Sequence, residues 1–275
     1  VSSPAWRPQR TDITAGGSLV KRTFALTFVV VVVLASLALS ACNSPSATKK
    51  YIIATDASWP PMEFVDANKN VVGFDIDVMN AIAKEQGIEI EFRNTAWDGI
   101  FAGLETGSYD AVLSSVTITE ERKQTYDFSD PYMNAGQAIV VLVGDATITG
   151  DQDLVGQAVG AQIGTTGAFA VADIPNATLK EYDTVDLAFL DLLNGNVVAV
   201  VCDTPVAADY ALASPEYKGK VKIVGEPFTE EYYGLCVRKG EMQELVSQFN
   251  EGLKKLKENG TYSKLYAKWI TAPAG

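Results

Sequence analysis

Apolar runs of strand length alternate along this chain with stretches of helical period, and few architectures accommodate that order. Residues 51–55 read as a strand, and Phe74, Val78 and Ile82 then recur at helical spacing until Gly87 stops the helix. A strand over 88–92, a short helix over 97–104 ended by Gly107, and a strand over 110–115 complete a first unit. The alternation restarts with strands over 137–143 and 158–163, a helix after Gly167, a strand near Leu179, a helix over 185–193 and a strand over 197–202. Strands over 220–224 and 233–237 follow, then an amphipathic helix over 241–258 with Leu245, Phe249, Leu253 and Leu256 on one face. Strands alternating with helices predict an α/β protein of two units, each a mostly parallel sheet flanked by helices.

Composition narrows the chemistry. At 275 residues, 47% hydrophobic and 20% charged, the chain can build sizeable cores. A formal net charge of -12 argues against nucleic-acid partners, which are held chiefly by Lys and Arg. Histidine is absent, which excludes Ser-His-Asp and Cys-His catalysis and every histidine-ligated metal. The three cysteines, Cys42, Cys202 and Cys236, show no CxxC spacing, so neither a zinc site nor a disulfide framework is indicated. No catalytic residue, metal or cofactor is expected.

Arg7, Arg10, Lys21 and Arg22 precede an apolar run over 24–39, and small residues then lead to Cys42. That order predicts a signal peptide over 1–41. A membrane-spanning helix is the alternative, although the run falls just below the roughly 18 to 20 residues a span needs. Leu39-Ser40-Ala41-Cys42 resembles the bacterial lipobox, which implies lipidation of Cys42 with diacylglycerol (palmitate-type) chains as a membrane anchor. The small, polar residues 42–50 suit a flexible tether.

Several residues could converge on a ligand. Asp56 and Trp59 lie just past the first strand, where open α/β sheets place their crevices, and Trp97 opens the second helix. Each aromatic alone is more often packing. In the stretch from Ser114 and Ser115 to Arg122, Thr117 and Thr119 are suited to cap a helix carrying Arg122, whose planar fork fits a carboxylate. A solvated surface arginine is the plainer alternative. Gly164-Thr165-Thr166-Gly167 offers backbone N–H groups between a strand and a helix, without the lysine of a phosphate loop. Asp203, ending a strand before Thr204-Pro205, suits either an ammonium group or a helix N-cap.

Gly73-Phe74-Asp75-Ile76-Asp77, Thr117-Ile118-Thr119-Glu120-Glu121-Arg122, Asp127-Phe128-Ser129-Asp130-Pro131-Tyr132 and Asn259-Gly260-Thr261-Tyr262 occur in this order. Together they resemble the polar amino-acid group of bacterial extracellular solute-binding proteins, family 3, over residues 51–270. The resemblance implies a two-lobe, type II periplasmic-binding-protein-like fold. Lobe 1 would comprise 51–132 and 233–275 and lobe 2 133–232, with hinge crossings near 132–136 and 229–233. It implies the substrate-binding component of an amino-acid ABC importer, working with a permease outside the cytoplasmic membrane as a lipid-anchored monomer.

On the matching positions, Arg122 with the N–H groups of Thr117 and Thr166 would grip an α-carboxylate. Asp203, the Thr117 hydroxyl and the Ser115 carbonyl would hold the α-ammonium, with Ser114 and Thr165 beside them. Asp56, Trp59, Trp97 and Gln162 would form the side-chain pocket. An acid between two aromatic faces favours arginine, lysine or histidine, whereas the Gln162 amide would also serve glutamine. Cys202 and Cys236 would be buried thiols in different lobes. Two rivals remain: a dehydratase-like enzyme on the same fold, with Asp56 or Glu63 as proton donor, and the sensor half of a kinase or channel, which needs a further membrane segment.

Overall fold

The computed structural model describes residues 1, 3, 5–10 and 49–271. The apolar run over 24–39, the stretch that resembles a lipobox and Cys42, on which the signal-peptide and lipidation expectations rest, lie outside the described residues. The chain divides into two compact units, Val1–Thr48 and Lys49–Gly275, and the second carries the architecture.

That unit begins with β1 (Lys50–Thr55), followed by the short strands β2 (Ser58–Trp59), β3 (Glu63–Val65) and β4 (Val71–Val72). Helix α1 (Phe74–Gln86), β5 (Glu89–Asn94), α2 (Ile100–Glu105), β6 (Ala111–Val112), α3 (Arg122–Thr125) and β7 (Tyr126–Phe128) come next. The chain then passes through β8 (Met133–Ala135) into β9 (Gln137–Leu142), β10 (Ala158–Gln162), α4 (Thr166–Ala172), β11 (Thr178–Tyr182), α5 (Val185–Leu193) and β12 (Ala199–Asp203). It continues with α6 (Thr204–Ala208) and β13 (Val221–Val224) and returns through β14 (Glu231–Tyr233) to β15 (Cys236–Arg238), α7 (Gln243–Glu258) and α8 (Thr261–Trp269).

Two five-stranded sheets result, ordered β5-β1-β6-β15-β7 and β11-β10-β12-β9-β13. Each is mixed rather than mostly parallel. In the first, β1 pairs in parallel with β5 and β6, whereas β15 is antiparallel to β6 and β7. The second repeats the scheme, with β9 antiparallel to β12 and β13. Strands β9 and β15 are the ones that enter their sheets directly from a crossing, with no helix to turn the chain back, so they run against their neighbours. The crossings themselves, β8 and β14, form a two-stranded antiparallel ladder, with Tyr233 buried within it and Tyr132 buried just before β8.

Apolar periodicity sets the helical layers. Phe74, Val78, Met79 and Ile82 of α1 are buried with Leu245, Phe249, Leu253 and Leu256 of α7. The second lobe buries Val159, Val171, Ala199 and Val201 on one side of its sheet, and Val185, Ala188, Phe189 and Leu192 of α5 on the other.

The structure departs from the expected strands where long-range bonds intervene. The strand expected over 110–115 keeps its ladder only at Ala111–Val112, because the Ser115 N–H turns to the Asp75 carboxylate at 2.9 Å and Ser115 adopts φ 50. The strand expected over 233–237 is two strands, β14 in the hinge and β15 in the first sheet, with Gly234 packed against Ile118 between them. Cys202 and Cys236 are free, buried and in different sheets.

Gly73 is required by the approach of α1 to β3. Its φ is 137, and an added Cβ would lie 2.1 Å from the Met62 carbonyl oxygen. Gly73→Ala is therefore expected to lower the unfolding free energy by about 3 kcal/mol, combining overpacking and backbone strain. Urea denaturation checks this, and an unchanged midpoint would contradict it.

Candidate functional site

A narrow cleft lies between the two sheets. Asp56, Trp59, Trp97, Ser114, Ser115, Thr117 and Arg122 line it from the first lobe, and Gln162, Thr165, Thr166 and Asp203 from the second. All eleven residues singled out in the sequence therefore meet in one place, and Glu63 joins them. Cys42 lies outside the described residues.

Strand ends account for this convergence. Asp56 follows β1 and Ser114 follows β6 in one sheet, and Gln162 and Asp203 end β10 and β12 in the other. The two parallel cores thus point their carboxyl edges at one another.

Arg122 bridges the lobes. Its guanidinium donates to the Thr117 carbonyl at 2.9 Å and to the Gly164 carbonyl at 3.3 Å, and lies 5.6 Å and 5.2 Å from the ring centroids of Trp97 and Phe101. Of the two threonines expected to cap its helix, Thr119 does, its hydroxyl accepting the Arg122 N–H at 3.0 Å. Thr117 does not, because its hydroxyl is engaged with Glu231 at 3.0 Å. In lobe 2 the Thr165 hydroxyl caps α4 through Ala168 N–H.

Asp203 sits at the N-cap of α6 without capping it through its side chain. One carboxylate oxygen accepts from Gln137 Nε2 and the other from the Tyr233 hydroxyl, each at 2.5 Å. Burial raises its pKa to about 6 against these hydrogen bonds, and Glu231 pushes the same way. Glu231, on hinge strand β14, accepts from the hydroxyls of Thr117, Thr166 and Thr229 and from Gln137 Nε2.

The other end of the cleft is built on Asp56. Its carboxylate accepts from Ser58 Oγ at 2.9 Å and from Gln162 Nε2 at 3.0 Å. The same Nε2 donates to the Asp183 carbonyl at 3.0 Å. Both amide hydrogens of Gln162 are thereby engaged, so its oxygen is the free polar atom of that side chain. Behind Asp56, Ser114 Oγ accepts the Asp56 N–H and donates to Glu63. Glu63 and Asp75 form a buried carboxyl pair. Burial and mutual repulsion push Glu63 well up, while burial raises Asp75 to about 6 against its bonds from Tyr132 and Ser115.

Gln137, Glu231 and Tyr233 were not singled out from the sequence, and Glu63 only as a possible acid. The one signal for Gln137 is a polar residue opening the otherwise apolar run Gln137–Leu142, which is almost wholly buried.

Two α/β lobes on a short hinge, facing each other across a polar cleft lined by both, define a protein that encloses a small ligand. The description "Bacterial extracellular solute-binding proteins, family 3" matches residues 51–272, and the chain belongs to that family. It is similar to a probable histidine-binding protein of Neisseria gonorrhoeae, 38% identical over 87% of this chain and 93% of the relative. Among solved structures, an ancestral arginine-binding protein bound to arginine matches at TM-score 0.75 and 44% identity, over 80% of this chain and 98% of that one. The arginine-, lysine-, histidine-binding protein of Geobacillus stearothermophilus matches at 0.75 and 36%, over 82% and 96%.

The buried acids carry a pH signature. Asp203 and Asp75 stand at about 6 folded, against about 3.9 for an unfolded aspartate, so the folded state binds the extra protons. Their stabilising contribution is complete below the unfolded value and is lost as pH rises through about 6. The melting temperature of the ligand-free chain is expected to rise as pH is lowered from about 7.5 to about 5.5. A flat or falling trend over that window would contradict these assignments.

Proposed function

We propose that this chain is the capture component of an amino-acid ABC importer and that its ligand is a cationic L-amino acid, arginine foremost. The observation that carries the ligand class is the acceptor character of the Asp56 end of the cleft. A carboxylate and an amide oxygen line the cleft there together with Trp59 and Trp97, and Gln162 has both its donors committed to Asp56 and Asp183. A guanidinium or ammonium group brings only donors and suits that end, whereas a glutamine side chain brings a carbonyl that Gln162 cannot serve. Each aromatic face adds about 0.5 to 2 kcal/mol for a cation, depending on desolvation.

At the opposite end, Arg122 with the Thr117 and Thr166 N–H groups takes the α-carboxylate. Asp203, the Thr117 hydroxyl and the Ser115 carbonyl take the α-ammonium, with Ser114 and Thr165 completing the walls. Residues 51–132 and 233–275 act as one lobe and 133–232 as the other, closing about β8 and β14. The ligand is released unchanged to a permease, and no residue acts as a catalyst. The chain works as a monomer outside the cytoplasmic membrane, held there by lipid on Cys42 and a tether over 42–50, which raises its local concentration at the importer.

Calorimetry of the purified chain from residue 50 onward, titrated with the standard amino acids, tests this reading. Saturable binding of arginine, lysine or histidine without turnover is expected, and silence across the panel would end it. Arg122→Ala is expected to weaken all ligands by at least tenfold, from loss of a charged bidentate contact. Asp56→Asn is expected to weaken cationic ligands selectively, and unchanged arginine and lysine affinity would overturn the ligand class.

A further inference from the structure

Glu231 lies on the hinge strand rather than at the end of a sheet strand, yet its carboxylate reaches two residues that line the cleft, Thr117 and Thr166. It is buried, at 8% exposure, and pairs across the hinge with Ala135. One of its oxygens accepts from the Thr117 hydroxyl at 3.0 Å and from the Thr166 hydroxyl at 2.6 Å. The other accepts from the Thr229 hydroxyl at 2.8 Å and from Gln137 Nε2 at 3.2 Å. Thr117 belongs to the first lobe and Thr166 to the second, so one carboxylate oxygen joins the two walls.

A carboxylate is acceptor-only, and a hydroxyl has a single proton. With their protons directed at Glu231, Thr117 and Thr166 face each other oxygen to oxygen at 3.2 Å, and neither needs to donate to the other. Thr166 also lies 3.2 Å from Gln137 Nε2, whose two hydrogens are shared among Thr166, Asp203 and Glu231. Thr117, which lines the cleft, is left with lone pairs to offer.

We propose that Glu231 is a positioning residue for ligand selection: it draws the hydroxyl protons of Thr117 and Thr166 toward the hinge, so that Thr117 meets the cleft as a hydrogen-bond acceptor for an α-ammonium group. This deepens the amino-acid reading above and rests on it. Glutamine in place of Glu231 separates the proton-directing role from simple packing, because the amide has the same shape but one acceptor atom. If the amide oxygen stays toward Gln137 and Thr229, its NH2 donates to both threonines. Their protons must then turn elsewhere, and that of Thr117 turns toward the ammonium site. If the amide is reversed, NH2 faces the Nε2 of Gln137, donor against donor.

The experiment compares L-arginine with its 2-hydroxy analogue, in which the α-ammonium is replaced by a hydroxyl that can accept as well as donate. Calorimetric affinities are measured for the wild-type chain and Glu231→Gln, with thermal melts to confirm folding. The wild-type chain is expected to prefer L-arginine strongly, and Glu231→Gln is expected to narrow that preference at least tenfold, chiefly by weakening L-arginine. An unchanged ratio in a folded Glu231→Gln protein overturns the proposal while leaving amino-acid capture intact. Failure of the wild-type chain to bind L-arginine overturns the functional reading, and the proposal with it. Should Glu231→Gln not fold, Thr117→Val reads the same acceptor: a narrowed ratio supports the proposal, and equal losses for both ligands overturn it.

Discussion

Two carboxylates, Asp203 and Glu231, are buried where the sheets face one another, and a buried carboxylate is tolerated only with full hydrogen bonding or a nearby cation. Their partners come from every part of the unit. Tyr233 and Thr229 lie at the second crossing, Gln137 opens the strand that leaves the first crossing, Thr117 belongs to lobe 1 and Thr166 to lobe 2. The hinge is thus the place where the negative charge is satisfied, and the relative position of the lobes is tied to that charge.

Arg122 completes this arrangement. Its donors go to carbonyls of both lobes and its face packs on Trp97 and Phe101, so the cation is held beside the acids without forming a direct salt bridge. A charge kept partly unpaired in this way remains able to meet a ligand charge of opposite sign. The Asp56 end is acidic: Ser58 and Gln162 orient its carboxylate against the upward push of burial on its pKa, and Glu63 and Asp75 behind it share a buried pocket that contains no cation among the described residues. An amino acid with a cationic side chain presents charges in the matching order.

Elements governed by local periodicity were legible in the sequence. The helix expected over 185–193 is observed as Val185–Leu193, and the apolar face of Gln243–Glu258 is the one that is buried. Strand limits were less so. At Ser114 and Ser115 the backbone leaves the ladder to serve Asp75, a partner some forty residues away that no local pattern announces. Glu231 was invisible for the same reason, since its partners lie up to 114 residues distant in the chain. Asp56, Trp59 and Asp203 were legible from their places at strand ends, whereas Gln162 and the grouping of the cleft residues into one site came from the resemblance to a family. Mixed sheets were not legible, because strand direction depends on how a crossing enters the sheet rather than on the strand's own sequence.

On the proposed function, the cleft recognises an α-amino acid head group at its hinge end and a cation at its other end. Competition against bound labelled L-arginine tests both halves in one titration, using agmatine, which lacks the carboxylate, Nα-acetyl-arginine, which lacks the ammonium, and norleucine, which lacks the side-chain charge. All three are expected to compete at least a hundredfold more weakly than unlabelled L-arginine. Agmatine or Nα-acetyl-arginine competing as well as L-arginine would contradict the head-group site, and norleucine doing so would contradict the cation site.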